Sequence, residues 1–324
     1  MFNSILLPLD GSQLAECVLP HTIAFARSFE AEITLLRVLE RNQTGASAQM
    51  FDLLNWQINK TKSTLYLEKT KTRLKAASLR IRAIVLEGLV AEGITEFAQS
   101  NGMKLIILSS HGRSGLTRWG ISSNTQKIIM SVQTSLLIVR ANQQQENLAT
   151  ETTESPVYRR ILVPLDGSQR AEYVLPMLTQ LAHFHKSQID LVHVVQTPEM
   201  PRQLPPVRED IDLANQVVAR NLEEAGRYLE QLKSRSTLAG IDVQTHLLTS
   251  DNAAAALHLM VEQENIDLVV LSAHGFSGNL QWPYGSMVNN FIIYGKVPLL
   301  IVQDLPPRQE LLSNEQVSRE RTER

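Results

Sequence analysis

The sequence predicts a doubly wound α/β fold that occurs twice along a chain of 324 residues. Two observations carry this prediction: a long internal repeat, and an alternation of short apolar runs with amphipathic stretches inside each copy. Strands that are apolar almost throughout, each followed by a helix, are typical of a parallel sheet covered on both faces. In such sheets ligands bind beyond the carboxyl ends of the strands, at the switch in strand order.

The repeat is long enough to indicate that a whole domain has been duplicated. Residues 5–20 read ILLPLDGSQLAECVLP and residues 161–176 read ILVPLDGSQRAEYVLP, at an offset of 156 residues. A second match pairs residues 106–112 with residues 269–275, at an offset of 163. Solenoid repeats have periods of only about 20–50 residues, whereas a chain of this length suits two domains of about 150 residues each.

The chain therefore divides into two domains, a linker and a tail. We expect the first domain over residues 1–141 and the second over residues 158–304. The segment between them, residues 142–157, is polar and has few large apolar side chains, which is typical of a linker. Residues 305–324 form a charged tail to which the sequence assigns no function.

The apolar runs and the amphipathic stretches predict each element in order. In the first half we expect strands at Ser4–Leu9, Ile33–Leu39, Leu79–Leu86, Leu105–Leu108 and Ser135–Val139. The helices between them are expected near 14–28, 48–76, 90–101 and 123–131. In the second half we expect strands near 160–165, 188–195, 242–248, 267–272 and 298–302. The corresponding helices are expected near 170–184, 211–239, 252–264 and 286–294.

The composition excludes several classes of protein. Lys and Arg number 31 against 33 Asp and Glu, so the chain lacks the basic excess that nucleic-acid binding needs. The single cysteine, Cys17, excludes an internal disulfide and indicates a reducing compartment. No apolar run approaches the ~20 residues of a spanning helix, and the first residues lack the pattern of a signal peptide. We expect a cytoplasmic protein that binds neither nucleic acid nor membrane.

The turn after the first strand of each half carries an acid that admits two interpretations. Asp10 follows the first strand of one copy and Asp166 follows that of the other. Each acid has capping-box spacing to a glutamine three residues later, so it could act only as the N-cap of the next helix. Alternatively, its carboxylate faces the ribose, the base or a metal of a ligand. The turn alone leaves both interpretations open.

The loop after the fourth strand carries glycines and serines that suit an anion. In the second half it reads Ser272-Ala-His-Gly275, then nine residues, then Gly285-Ser286 at the start of a helix. Glycines let successive amides turn inward as an anion nest, and a helix N-terminus adds its positive dipole end. These features indicate a phosphate site, and the alternative is a glycine-rich loop that only caps the helix.

These turns and loops resemble those of the UspA (universal stress protein) family over about residues 4–140 and 160–303. Nucleotide-binding members of that family carry G-x2-G-x9-G-[ST] after the fourth strand, an Asp after the first, and a backbone contact to adenine after the second. The resemblance implies strand order 3-2-1-4-5 in each half and ATP, with or without Mg²⁺, as the ligand. It also implies that the two halves pair through their fifth strands, and it leaves open a homodimer of the whole chain.

The second half matches the nucleotide-binding positions of the family better than the first half does. Its matching residues are Asp166, Val194, Gly275, Gly285 and Ser286, while Ser272 replaces the first glycine. The matching residues of the first half are Asp10, Val38, Gly112 and Ser123, while Ser109 and Ser122 replace two of the three glycines.

The serine replacements predict that nucleotide prefers the second half. If the glycines of the family have positive φ, a serine there costs about 1 kcal/mol in backbone strain. Arg113 and Arg118 of the first loop could attract phosphate, but an exposed charge contributes only about 1 kcal/mol or less. We therefore expect loop geometry to outweigh loop charge.

Three functions remain open at this stage. The first is a regulatory protein that binds ATP or a related adenine nucleotide with little or no turnover. The second is a tandem scaffold with empty pockets, which the serine replacements favour. The third is an adenylating enzyme, which is disfavoured because Leu9-Asp10-Gly11-Ser12 stands where such enzymes carry SGGxDS.

The polar residues of these loops predict no catalysis. No nucleophile lies beside a base, and His274 has no evident carboxylate partner in the sequence. His111 and His274 are instead expected to shape the loops through hydrogen bonds. The spacing of His183, His185 and His193 does not suit a metal site, so we expect none built by the protein alone.

Overall fold

Ten strands form one continuous sheet in which two five-stranded halves are joined edge to edge. The computed structural model describes residues 2–40, 49–75, 78–112, 121–141, 155–198, 208–276 and 283–304. In the first half the strands are β1 Ser4–Pro8, β2 Glu32–Leu39, β3 Ile81–Glu87, β4 Leu105–Ser109 and β5 Ser135–Val139. The helices are α1 Gln13–Glu16, α2 Val18–Ser28, α3 Gln49–Lys75, α4 Val90–Ser100 and α5 Ser123–Ser131.

The second half repeats this arrangement of elements. Its strands are β6 Arg160–Pro164, β7 Gln188–Val195, β8 Asp242–Thr249, β9 Leu268–Ser272 and β10 Leu299–Val302. Its helices are α6 Leu175–His185, α7 Arg208–Lys233, α8 Ala253–Gln263 and α9 Ser286–Tyr294, with short 3-10 turns at Ala171–Val174 and Ser236–Leu238. Most boundaries lie within one or two residues of the predicted ones.

The strand order confirms the predicted fold class. It runs β3-β2-β1-β4-β5 in the first half and β8-β7-β6-β9-β10 in the second, which is 3-2-1-4-5 twice. All pairs within each half are parallel. In each half the order switches between the first and fourth strands, and that switch point is where a ligand site is expected.

The two halves pair through their fifth strands, as the resemblance implied. β5 and β10 run antiparallel, with Leu300 opposite Leu137 at the centre of the joint. The carboxyl ends of the two sets of parallel strands therefore point in opposite directions. As a result, the two candidate sites lie at opposite edges of the joined sheet.

Most of the inner strands are apolar over most of their length because both faces of the sheet are covered there, whereas the edge strands β3 and β8 are partly exposed. Successive side chains of a strand point to opposite faces. Ile5 and Leu7 belong to a core cluster on one face and Leu6 to a cluster on the other, and all three are fully buried. No helix within the described ranges is both long and apolar enough to cross a membrane.

The first helix of each half is interrupted where the sequence predicted a single helix. Residues 14–28 form α1 and α2, and residues 170–184 form a 3-10 turn followed by α6. Pro20 is the third residue of α2, and Pro176 is the second residue of α6. Proline is tolerated in the first turn of a helix but not in its interior, because it lacks an N–H and crowds the carbonyl four residues earlier. The helix therefore restarts just before each proline.

A buried tyrosine joins the halves on one face of the sheet. Tyr158 lies just before β6 and is 1% exposed. Its hydroxyl is 2.7 Å from Nδ1 of His21 on α2, and its ring meets Phe25 and His185 edge-on. Tyr158 therefore ties α2 of the first half to α6 of the second.

Candidate functional site

The turn after the first strand of each half places a carboxylate at the switch point. Gly11 has φ of +79° and Gly167 has φ of +81°, a left-handed conformation that suits glycine. The turn folds Ser12 back onto Asp10, so that the serine N–H and hydroxyl both donate to Oδ1 at 2.9 and 2.6 Å. Ser168 and Asp166 repeat the arrangement at 3.0 and 2.6 Å.

These contacts correct the interpretation of the two acids as helix caps. The N-cap of α1 is Ser12, whose Oγ accepts from the N–H of Ala15 at 3.1 Å. In the second half Oγ of Ser168 accepts from the N–H of Ala171 at 3.1 Å. The left-handed glycine turns the chain so that the serine, not the acid, meets the first helical amides. Asp10 and Asp166 therefore hold the serine and present their second oxygen elsewhere.

That second oxygen faces the glycine loop after the fourth strand. A Cβ built on Gly275 would overlap Oδ2 of Asp166, and one built on Gly112 would overlap Oδ2 of Asp10. In the second half the N–H of Phe276 also donates to Oδ2 of Asp166 at 2.6 Å. Glycine is needed at these two positions because the carboxylate packs directly against the backbone. The structure thus brings the predicted acid and the predicted loop glycine together in both halves.

The strain argument drawn from the serine replacements is wrong. Gly285 has φ of −68° and its counterpart Ser122 has φ of −75°, so neither position requires glycine. Ser109 and Ser272 are also absent from the non-glycine residues with positive φ in the described chain. The serines therefore fit the backbone without strain, and their effect on a ligand depends on what their side chains do.

At the start of the last helix the two halves differ in their capping. Ser122 is the N-cap of α5, and its Oγ accepts from the N–H of Thr125 at 3.2 Å. Gly285 is the N-cap of α9 and has no side chain to accept from that helix. Ser123 and Ser286 are the first residues of the two helices. The first amides of α9 are consequently not satisfied by a capping side chain, whereas one of those of α5 is.

The serines in place of the first glycine lie beneath the loop. Oγ of Ser109 is 2.6 Å from the carbonyl oxygen of His111 and 3.1 Å from that of Leu14, and it ties β4 to α1. Oγ of Ser272 is buried and has no hydrogen-bond partner among the residues that the structure describes. The Ser109 hydroxyl therefore fixes the base of the first loop, whereas the Ser272 hydroxyl makes no such contact within the described residues.

The second strand of each half extends past the first and exposes a backbone edge. β1 pairs with β2 only as far as Pro8 opposite Leu36, and β6 pairs with β7 only as far as Pro164 opposite Val192. Alternate residues of a strand point their N–H and C=O groups to the same side. Val38 and Val194, two residues further on, therefore direct theirs past the end of the first strand, as a contact to adenine requires.

One residue earlier the two halves differ in a way that the sequence analysis missed. Arg37 precedes Val38, and its guanidinium lies over the ring of Tyr66 on α3, with Cζ 5.4 Å from the ring centroid. His193 precedes Val194 and meets Tyr228 on α7 edge-on at 6.3 Å between ring centroids. Burial lowers the pKa of His193 despite the nearby Asp166. The offset of 156 residues aligns Arg37 with His193, so the repeat itself carried the signal.

The loop histidines have different partners in the two halves. Nδ1 of His274 is 2.8 Å from Oδ1 of Asp304, and both side chains are 1% exposed. The expectation that His274 lacks a carboxylate partner is therefore wrong, because the start of the segment after β10 returns to the loop. Nδ1 of His111 instead lies 3.0 Å from Oγ of Ser110. Burial and, to a lesser extent, Arg140 lower the pKa of His111.

The remaining candidates have structural contacts. Burial raises the pKa of the Cys17 thiol to about 11, so it is protonated at neutral pH. Nε2 of His185 lies 3.2 Å from Oγ of Ser28 at the joint between the halves. Within the described part of the chain no three His, Cys, Asp or Glu residues are arranged to hold a metal ion. Arg113 and Arg118 lie outside the described residues.

Comparisons with known proteins identify relatives of both halves. The model of the universal stress protein family matches residues 1–140 and residues 157–303. Two universal stress proteins of Methanocaldococcus jannaschii are similar in sequence. One is 27% identical over 141 residues, which cover 43% of this chain and 83% of that relative. The other is 28% identical over 156 residues, which cover 43% of this chain and 96% of that relative.

Solved structures share the architecture across both halves. A universal stress protein from Archaeoglobus fulgidus superposes with a TM-score of 0.63 at 16% identity and covers 94% of this chain and 100% of its own. A functionally unknown protein from Pseudomonas aeruginosa superposes with a TM-score of 0.61 at 14% identity and covers 93% and 92%. At these identities the similarity establishes the fold alone.

Proposed function

The chain belongs to the universal stress protein family, with two domains of that family in tandem, and we propose that it is a regulatory protein that binds an adenine nucleotide, ATP with Mg²⁺, in its second half. The observation that carries the proposal is the bare N-terminus of α9. Gly285 caps that helix without a side chain, and its position lies beside the loop amide of Gly275. Helix N-termini and inward-turned loop amides are well suited to phosphate.

The other predicted residues of the second half lie around the same switch point. Asp166 stands at the end of β6 and holds the loop through the N–H of Phe276. Val194 directs its backbone past the end of β6, where it can pair with an adenine edge. A nucleotide bound here would place its base at Val194, its sugar near Asp166 and its phosphates at the N-terminus of α9.

Magnesium would enter with the nucleotide. Mg²⁺ keeps several water ligands and is commonly held by substrate phosphates with one or two carboxylates. Asp166 is the candidate carboxylate at the switch point, but its oxygens already accept hydrogen bonds from Ser168 and Phe276. We therefore propose that the phosphates of the nucleotide, rather than protein side chains, supply most of the non-water ligands of the ion. The ion then offsets the lack of basic residues from Phe276 to Tyr284.

The first half is the weaker site in this proposal. The hydroxyl of Ser122 accepts from the N–H of Thr125 and so competes with a phosphate for the amides of α5. A charge-assisted hydrogen bond contributes roughly 1.5–3 kcal/mol. Losing one of them is enough to separate the two affinities by about 10- to 100-fold.

The proposed protein holds its nucleotide without substantial turnover. His274 has an acidic partner, but its side chain is 1% exposed and its Nδ1 faces Asp304 rather than the ligand loop. The Cys17 thiol has a pKa of about 11 and is buried. A general base must reach the proton that it removes, and these two groups do not. We expect ATP loss far below the ~10 s⁻¹ of an ordinary enzyme, and turnover near that rate would favour the adenylating enzyme instead.

Calorimetric titration of ATP·Mg tests the proposed site. A Cβ at residue 285 would be 3.7 Å from the carbonyl oxygen of Ala273 and 3.9 Å from the amide nitrogen of Gly275, so Gly285→Val fits but covers the loop amides. We expect about 10- to 100-fold weaker binding. Ser122→Val is the matched control in the first half and should leave the affinity unchanged. A Gly285→Val protein that binds like the wild type would contradict the assignment.

The second candidate function is a tandem scaffold without ligand. The side-chain cap of α5 and the continuous ten-stranded sheet favour it, because both stabilise the fold without contributing to a nucleotide site. The purified protein can be denatured and the supernatant chromatographed for adenine nucleotides. The regulatory proposal predicts that the wild type releases an adenine nucleotide or binds added ATP·Mg. A wild type that does neither is a scaffold.

A further inference from the structure

The two switch points differ in the space over the turn glycine. Arg37 fills this space in the first half, and His193, the residue aligned with it, does not fill it in the second. The atoms nearest to a Cβ built on Gly11 all belong to the Arg37 guanidinium, with Cζ at 3.2 Å. The corresponding point at Gly167 has no heavy atom of the described residues within 4 Å. Among the residues that the structure describes, the same turn is therefore covered by a guanidinium in one half and left open in the other.

The covered space lies between the two elements that a nucleoside would contact. Arg37 is adjacent to Val38, whose backbone faces past the end of β1, and Gly11 is adjacent to Asp10 at that end. A base paired with Val38 and a ribose near Asp10 would have to cross the gap between them. The guanidinium of Arg37 lies over Gly11, beside the Asp10 end of this gap.

The contacts of Arg37 hold it there. Its Cζ is 5.4 Å from the centroid of the Tyr66 ring, a distance at which a cation and an aromatic face attract each other. Tyr66 is half-buried on α3 and packs against the core. His193 is shorter and meets Tyr228 edge-on, which leaves the turn at Gly167 uncovered.

We propose that Arg37 closes the nucleoside part of the cleft in the first half, and that the residue at this position determines which half accepts an adenine nucleotide. This inference rests on the proposed function of the second half. It is separate from the capping by Ser122, because the serine acts at the phosphate end of the cleft and Arg37 acts at the base and ribose end. Both obstacles must be removed before the first half binds ATP as tightly as the second half.

The test counts the ATP·Mg sites on the intact chain by calorimetry. We compare the wild type, Ser122→Gly, the double variant Arg37→His/Ser122→Gly and a control, Arg82→His/Ser122→Gly. Arg82 is an exposed arginine on β3 whose Nε is 2.9 Å from Oε1 of Glu32, so its loss removes a charge of the same half away from the cleft. We expect one site on the wild type, on Ser122→Gly and on the control, and two sites on the double variant that lacks Arg37.

The reciprocal change provides an independent readout. His193→Arg places a guanidinium beside the open turn at Gly167 and should weaken the existing site at least about tenfold. Two sites on Ser122→Gly alone would overturn the inference, because Arg37 would then be no obstacle. A double variant that keeps one site would also overturn it.

Failure of the inference can be told apart from failure of the proposed function. A wild type with one site in the second half and a double variant without a second site contradict only the role of Arg37. A wild type with no site contradicts the proposed function, while a site gained on Arg37→His/Ser122→Gly would still support the role of Arg37. If none of the four proteins binds ATP·Mg, both are contradicted.

Discussion

At the residue scale, the candidate sites depend on how closely a carboxylate approaches a glycine. Asp166 contacts the backbone at Gly275, and Asp10 does the same at Gly112. The sequence predicted that these residues belong to one site, because both follow strands whose carboxyl ends meet at the switch point. It did not predict that Ser12 rather than Asp10 caps α1, because capping-box spacing does not reveal the left-handed turn at Gly11.

Replacing Gly275 with alanine should destabilise the second half. The added Cβ would overlap Oδ2 of Asp166 and force the hydrogen bond from the Phe276 N–H to open. We expect a loss of about 1–3 kcal/mol in the free energy of unfolding, measured with urea. The control is Gly226→Ala on α7, whose Cβ would be 3.9 Å from Cδ2 of Leu247 and should slightly stabilise that helix. Equal stability of the two variants would show that Asp166 does not hold the loop.

At the scale of the element, most of the fold was predictable and the ends of the helices were not. The strands were located within one or two residues because both faces of the sheet are covered, which makes most of the inner strands nearly continuous apolar runs. The breaks before Pro20 and Pro176 were missed, because amphipathic periodicity continues across them. The difference in capping between α5 and α9 was also beyond the sequence, since it depends on the direction of the Ser122 hydroxyl.

A serine at position 285 should weaken the binding of ATP·Mg and slightly raise the free energy of unfolding. The backbone of Gly285 matches that of Ser122, with φ and ψ of −68° and 166° against −75° and 156°. Gly285→Ser can therefore cap α9 as Ser122 caps α5, and a capping serine exceeds glycine by a few tenths of a kcal/mol. We expect a slightly raised free energy of unfolding in urea and weaker binding of ATP·Mg by calorimetry. Weaker binding without any stabilisation would show that the serine does not cap α9.

At the scale of the molecule, the joint between the halves adds a buried titratable group. His21 lies within hydrogen-bond distance of Tyr158, and burial lowers its pKa from 6.5 to about 4. Below about pH 6.5 His21 is therefore protonated in the unfolded chain, whereas in the folded chain it stays neutral until the pH approaches 4. The stability that depends on neutral His21 is present above that pH and is lost as the pH falls toward 4.

The joint should consequently weaken in mild acid. Between pH 7 and pH 5 we expect His21 alone to remove on the order of 2 kcal/mol from the free energy of unfolding. His21→Gln keeps a polar partner for Tyr158 but does not titrate, so its urea unfolding should change less over this range. The control is His183→Gln, which alters an exposed histidine on α6 and should leave the pH dependence as in the wild type. If His21→Gln loses as much stability as the wild type, the histidine is not buried in the joint.

The two domains share one fold, and in our proposal they differ in whether they bind nucleotide. The repeat in the sequence predicted the duplication, and the resemblance to the family implied that the halves pair through their fifth strands. Backbone strain does not support unequal sites, because the serines are not strained, and the preference for the second half stays a prediction. The directions in which the Ser122 hydroxyl and the Arg37 guanidinium point depend on side-chain conformation, which the spacing of residues in the sequence does not reveal.

The most direct test is to photolabel the unmodified chain with ATP that carries an azide on its adenine, and to map the labelled peptides by mass spectrometry. Excess ATP·Mg added before illumination serves as the control, since label that it does not displace is nonspecific. The account predicts that the displaceable label lies in the second half, near Val194 on β7, and is absent from residues 1–141. Displaceable label in the first half, or equal label in both, would contradict the assignment of the nucleotide to the second half.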